Sequence, residues 1–111
     1  MTVVARVLIP AKLAESAQTV QYQSTNVIAI IDKFTATNVS ASVATLSVNV
    51  LNAPGAAADA NLIVKQKALQ PSETYLFPEL VGQTLSPNNV ISTIASAASA
   101  ITIRASGREV T

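Results

Sequence analysis

The chain has 111 residues, 50% hydrophobic and 12% charged, with seven Lys and Arg against six Asp and Glu for a net charge of +1. Average soluble domains carry roughly 25% charged residues, so about half the usual ionic surface is present. With no Cys and no His, disulfides, Cys/His zinc sites and a histidine base are excluded.

Residues 3–9 read as a strand with apolar side chains on both faces, Val3, Ala5, Val7 and Ile9 on one and Val4 and Leu8 on the other. Pro10 is expected to end it, since proline cannot donate to a ladder. Arg6 interrupts this stretch, and no charged region precedes a hydrophobic run, so no targeting signal is expected. Residues 10–18 hold helix formers but are read as extended or irregular. Residues 17–23 alternate weakly through Val20 and Tyr22. Residues 27–37 form a longer strand, Asn38-Val39-Ser40-Ala41-Ser42 a polar turn, and residues 43–51 the clearest strand. There Ala44, Leu46, Val48 and Val50 alternate with Thr45, Ser47 and Asn49, the period of a half-buried strand. These two strands and their turn read as a hairpin.

Residues 53–61, with Pro54, Gly55, Ala56, Ala57 and Ala58, form a loop of about nine residues, long for a compact domain. Beyond it come a strand at 62–69, a turn at Pro71-Ser72, and a short strand at 74–77 ended by Pro78. A turn at Ser86-Pro87-Asn88-Asn89 leads to a strand at 90–95 and a turn at 96–100. The last strand starts at Ile101 and has Gly107 near its end. Short strands with turn signals roughly every 8–12 residues are the pattern of a sandwich or barrel. The predicted fold is all-β: a single antiparallel β-sandwich, Ig-like or jelly-roll-like, of about eight strands. Residues 1–10 are assigned as an N-terminal strand or arm, and residues 11–111 as the sandwich domain.

Little in the chain points to chemistry. No Gly-x-Ser-x-Gly elbow surrounds any serine. The acids Glu15, Asp32, Asp59, Glu73, Glu79 and Glu109 are scattered, and three glycines leave no phosphate-cradling loop. No catalytic residue, metal ligand or cofactor is predicted, and the chain is read as a non-enzyme. The basic residues Arg6, Lys12, Lys33, Lys65, Lys67, Arg104 and Arg108 are dispersed, which argues against a nucleic-acid partner. The longest pure apolar run, residues 27–31, is far below the ~20 residues of a spanning helix, so no membrane span is expected. Asp32-Lys33 interrupts an apolar strand, as a bulge or edge position whose charges reach solvent or, more sharply, as a subunit-interface salt bridge. Asn38-Val39-Ser40 matches a glycosylation sequon, but the turn explains it better. Tyr22 and Tyr75 are ligand or interface aromatics, or part of the core.

Several stretches together carry a resemblance. Tyr22, then Ile30-Ile31-Asp32-Lys33-Phe34-Thr35-Ala36-Thr37-Asn38-Val39-Ser40, then the alternating strand at 43–50 resemble small virion structural proteins of tailed bacteriophages. Leu69-Gln70-Pro71-Ser72-Glu73-Thr74-Tyr75 looks like that group's "LxPGET" turn, and residues 101–109 look like its closing strand. This chain departs at Ser72, where the group often has Gly, and at Asn88-Asn89, where it often has Gly-Asp. The resemblance spans roughly residues 20–110 and implies a non-enzymatic β-sandwich located in the virion. It leaves open whether the subunit decorates the capsid or sits at the neck or tail.

The apolar excess and the two-faced first strand suggest contacts with other protein. Residues 2–9 are expected to pair with or pack against a neighbouring chain, placing Val3, Val4, Val7, Leu8 and Ile9 at an interface. Ala56, Ala57 and Ala58 are the second contact candidate. The expected partners are further copies of the chain and other virion proteins of the capsid, connector or tail. The alternative is a carbohydrate- or receptor-binding module using Tyr22, Tyr75 and Asn88-Asn89.

Overall fold

Alternating apolar side chains produce nine strands in the computed structural model, which describes residues 1–111. These are β1 (Val3–Leu13), β2 (Thr19–Gln23), β3 (Ile28–Asn38), β4 (Ala44–Leu51), β5 (Leu62–Leu69), β6 (Thr74–Tyr75), β7 (Thr84–Leu85), β8 (Val90–Ala95) and β9 (Ile101–Val110). One 3-10 turn lies at Asp59–Asn61.

Two antiparallel sheets result, one ordered β1-β9-β3-β6 with β7 also on β3, the other β2-β8-β4-β5. Along the chain, β1 to β4 are answered in reverse by β9, β8, β6 with β7, and β5. The fold is one long two-stranded ribbon, closed by the 52–61 loop and wrapped around a core. That interleaving is the jelly-roll order, two Greek keys in two sheets. The expected β-sandwich therefore forms.

The inner faces bury a single apolar cluster in which Ile9, Ile31, Phe34, Leu46, Ile91 and Ile103 are fully enclosed. Phe77 enters from the β6–β7 loop with its backbone at φ 41°. Its ring meets Phe34 edge-on at 5.2 Å and Tyr75 at 4.7 Å between centroids. Such pairs add roughly 0.5–1.5 kcal/mol beyond the area they bury, which offsets a strained φ.

β3 carries an extra residue. Its register against β9 shifts between Ile31 and Lys33, so Asp32 and Lys33 both reach solvent while Ile31 and Phe34 both face the core. Asp32-Lys33 is thus a bulge, which increases local twist. Across from it, Gly107 pairs with Ile31. A Cβ on Gly107 would overlap the Ile30 carbonyl and crowd Leu8, so only glycine admits the bulged strand this closely.

Two expectations are corrected. Pro10 does not end β1, which continues to Leu13. β1 is a sheet edge, and its register slips between Ile9 and Lys12, where an absent N–H disrupts little. Nor do β3 and β4 form a hairpin: they lie in different sheets, and residues 39–43 cross between them. Asn38 fixes that corner. Its Nδ2 donates to the carbonyls of Ser42 (2.8 Å) and Leu69 (2.9 Å), and its Oδ1 accepts from the Ser40 N–H (2.9 Å) and hydroxyl (2.7 Å). An asparagine so buried and so fully bonded is a corner, not a glycan acceptor.

Gly107→Ala is expected to destabilise the fold by about 3 kcal/mol or more, lowering Tm by roughly 10 °C or more in a thermal melt. Ser72 sits at φ 68° and its side chain is exposed. Left-handed backbone costs a non-glycine residue ~1 kcal/mol or more, so Ser72→Gly is expected to raise Tm by about 2–4 °C. Asn88→Gly, at φ 69°, should gain less, because asparagine tolerates this region.

Candidate interaction surface

β1 divides at Leu8. A register shift between Val7 and Ile9 turns both Leu8 and Ile9 into the core, with exposures of 3% and 0%. These two are therefore core residues, a correction to their expected place at an interface. A strict two-residue period cannot anticipate the bulge that phases neighbouring side chains inward. Val3, Val4 and Val7 remain exposed, at 56%, 36% and 49%.

The register assigns each to a face. Val3 lines up with Val110 and Ile28, Ala5 with Arg108 and Ile30, and Val7 with Ser106 and Lys33. These rows make up the outer face of the β1 sheet, where Ile28 is 40% exposed. The alternate rows, Val4 with Glu109 and Ala29, and Arg6 with Gly107 and Ile31, face inward. An apolar patch of Val3, Ala5 and Val7 on β1, continued across β9 by Val110 to Ile28 on β3, thus extends from one end of the sandwich. Arg108 forks onto Asp32 beside it, with Nε and Nη2 both within 3.2 Å of the carboxylate; the pair is exposed and contributes little to stability.

Beneath the patch, β2 and β9 are joined at the sandwich end. The Tyr22 hydroxyl donates to one Glu109 oxygen at 2.6 Å, and Arg6 Nε donates to the other at 3.0 Å. Burial, then the hydrogen bond to Glu109 and its negative charge, push the Tyr22 phenol well above its ordinary pKa of 10.0. Tyr75 is raised as well, chiefly by donating to Glu79 at 2.8 Å. It packs on Phe77, with the Lys67 ammonium 4.4 Å above its ring. Both tyrosines thus serve internal contacts.

The second candidate, the 53–61 loop, folds over the outer face of the other sheet. Asn49 Nδ2 donates to Asn61 Oδ1 (2.7 Å) and to the Ala58 carbonyl (3.2 Å). The Asn61 oxygen also accepts the Ala58 N–H at 3.0 Å. Ala56 and Ala58 are exposed and Ala57 half-buried. Next to them lies a cavity of about 230 Å³ whose lining includes Gln18, Ser47, Asn49, Asp59, Lys65 and Gln66. Neither tyrosine lines it. Asn88 is exposed in the turn before β8, and the Asn89 N–H is tied to Ser24.

One cluster was not read from the sequence. Lys33, Thr35, Arg104 and Ser106 share a recess of about 230 Å³ on the outer face of the β1 sheet. The pairing of Lys33 with Ser106 and of Thr35 with Arg104 brings it together, and only knowledge of the β3–β9 register could have found it. No helix is long and apolar enough to cross a membrane.

The Tyr22 contact sets an alkaline limit on stability. Its phenol is raised in the fold and ordinary in the unfolded chain. The stabilisation is therefore complete below about pH 10 and is lost as pH climbs towards the folded value. With two Tyr and no Trp, tyrosinate absorbance should lag the free phenol and rise with unfolding; Tyr22→Phe should remove most of the lag. Comparison with protein-family models, with curated proteins and with solved structures finds no match to this chain.

Proposed function

We propose that this chain is a non-enzymatic structural subunit of a tailed-bacteriophage virion, held in place by contacts with its own copies and with neighbouring virion proteins. The observation that carries the reading is the exposed apolar patch of Val3, Val7 and Ile28, at 56%, 49% and 40%, on the outer face of the β1 sheet. Contiguous apolar surface on a soluble domain marks interaction. The residue pattern from Tyr22 to Glu109 adds the virion context. The jelly-roll order agrees by analogy, since that architecture hosts capsid domains, although fold alone does not specify function.

Lectins share the architecture too, and the amide-lined cavity beside Asn49 and Asn61 gives a carbohydrate- or receptor-binding reading its only foothold. It lacks the aromatic wall on which a sugar ring stacks, because Tyr22 and Tyr75 lie elsewhere. That reading ranks second.

Deleting residues 1–10 would strip Leu8 and Ile9 from the core, so charge substitution is the cleaner probe. A Val3→Asp/Val7→Asp variant should keep its melting cooperativity yet enter particles at least about tenfold less than the wild type, measured by quantifying the protein in purified virions. Burying unpaired carboxylates at a contact is costly, and each factor of ten corresponds to about 1.4 kcal/mol. Charges at Ala56 and Ala58 should lower incorporation only where the loop is also a contact. Absence of the wild-type protein from virions, with binding on a glycan array, would replace this reading with the second.

A further inference from the structure

We propose that two copies of this chain pair antiparallel along β1, with the two-fold axis at Ala5, joining their β1 sheets into one continuous sheet. The inference rests on the self-association reading above and names the geometry of that contact.

Hydrogen-bond parity decides which backbone groups of β1 are free. Thr2 and Thr111 exchange both backbone hydrogen bonds, at 3.3 and 3.0 Å. Antiparallel ladders alternate bonded and non-bonded pairs. Val4 and Arg6, paired with Glu109 and Gly107, therefore also direct their N–H and C=O groups at β9. Val3, Ala5 and Val7 direct theirs at the open edge. Placing the two-fold at Ala5 sets Ala5 opposite Ala5 of the second copy, and Val3 opposite its Val7. Every outward group between Val3 and Val7 then finds a partner.

The free edge is also self-complementary. In this register, Val3, Ala5 and Val7 of the two copies meet across the axis on the outer face, with Val110 of each copy on the strand behind Val3. On the inner face Val4 opposes Arg6 of the second copy, so no like charges face each other. Moving the axis to Arg6 would set guanidinium against guanidinium, which is destabilising. Moving it to Val4 would take the outward groups of Val7 beyond the span they share with Val3.

The remaining edges are guarded. β6 and β7 have two residues each, and β2 is five residues long with a bulge between Val20 and Tyr22. β5 presents Lys65 and Lys67 and has a bulge at Gln66, at φ 48°. Short, bulged or lysine-bearing edges resist pairing. β1 itself is blocked past Val7 by its bulge and by Pro10, which has no N–H. Only residues 3–7 offer an open, apolar edge.

The chain has no Cys, so a single Ala5→Cys substitution gives a clean readout. Bonded cross-strand partners lie about 5.5 Å apart at Cα, within the roughly 4.4–6.8 Å a disulfide spans. Mild oxidation, or a short bismaleimide, should convert Ala5→Cys to a covalent dimer, while Lys65→Cys stays largely uncrosslinked. Ala5→Pro removes an N–H that points away from β9. It should keep cooperative melting while raising the dimer dissociation constant, measured by sedimentation, about tenfold or more. Unchanged dimerisation of a folded Ala5→Pro variant, or no crosslinking of Ala5→Cys above the Lys65→Cys control, overturns the pairing. A chain that enters virions but is monomeric at every concentration also overturns it while leaving the structural role intact. A dimer that crosslinks at this position but is absent from virions upholds the pairing and removes the virion role.

Discussion

The close approach of the Ile30 carbonyl to Gly107 holds the β1 sheet together. β9 lies between β1 and β3 and pairs with both over nearly its whole length. The bulge at Asp32 pushes the β3 backbone towards β9 at Gly107, and the missing side chain there leaves space for it. From this contact the inward phase of Ile31 and Phe34 follows. So does the outward phase of Asp32, which lets Arg108 reach it at 2.9 Å. On the other side of β9, Leu8 packs over the same glycine, so the phase change in β1 answers the one in β3. Two bulges and one glycine thus decide which side chains of three strands are core and which are surface.

Polar side chains do comparable work at the corners. Asn38 ties the β3–β4 crossover at Ser42 to the end of β5 at Leu69, Asn49 and Asn61 tie the long loop to its sheet, and Ser24 accepts the Asn89 N–H while donating to the Ser86 carbonyl at 2.7 Å. Each replaces water around a buried backbone group, which would otherwise cost roughly 1–3 kcal/mol. No buried side-chain nitrogen or oxygen is left without a partner. Neutral amides and hydroxyls therefore carry out much of what ion pairs do elsewhere, which explains how a 12% charged chain closes its loops.

The strands most legible in the sequence are those bounded by clear turn residues, such as Pro71-Ser72 and Ser86-Pro87-Asn88-Asn89. The spans expected at 62–69 and 90–95 coincide with β5 and β8, and the alternation of β4 puts Leu46 and Val48 in the core as expected. Legibility failed where geometry is set across strands. Whether β3 turns back on itself or crosses the core depends on Asn38 reaching Leu69, a partner 31 positions away. β7 is two residues long, too short for any period to register. Of the expected interface residues, Val3, Val4 and Val7 are at the surface, but Leu8 and Ile9 needed the bulge to be known. Tyr22 and Tyr75 stand out in a chain with four aromatics, yet their partners Glu109 and Glu79 emerge only in the fold.

Low charge leaves two sheets with different outer surfaces. On the β2 sheet, Ser47, Asn49 and Ser92 point outward and are covered by Gln18 and the 53–61 loop, so neutral polar groups meet one another and water. On the β1 sheet the outward rows near the chain's start hold Val3, Ala5, Val7 and Ile28, and no loop lies over them. Four other exposed apolar residues, Val39, Val43, Leu76 and Val81, are side chains in connections, of the kind any soluble domain shows. The valine rows differ because they are contiguous and lie beside an unpaired backbone edge. Apolar surface and unmet hydrogen bonds in one place are each unfavourable in water, and a strand from another protein relieves both at once. The hydrophobic excess of the whole chain therefore matters less than the position of three side chains along five residues of β1, and of Val110 and Ile28 across β9 from them.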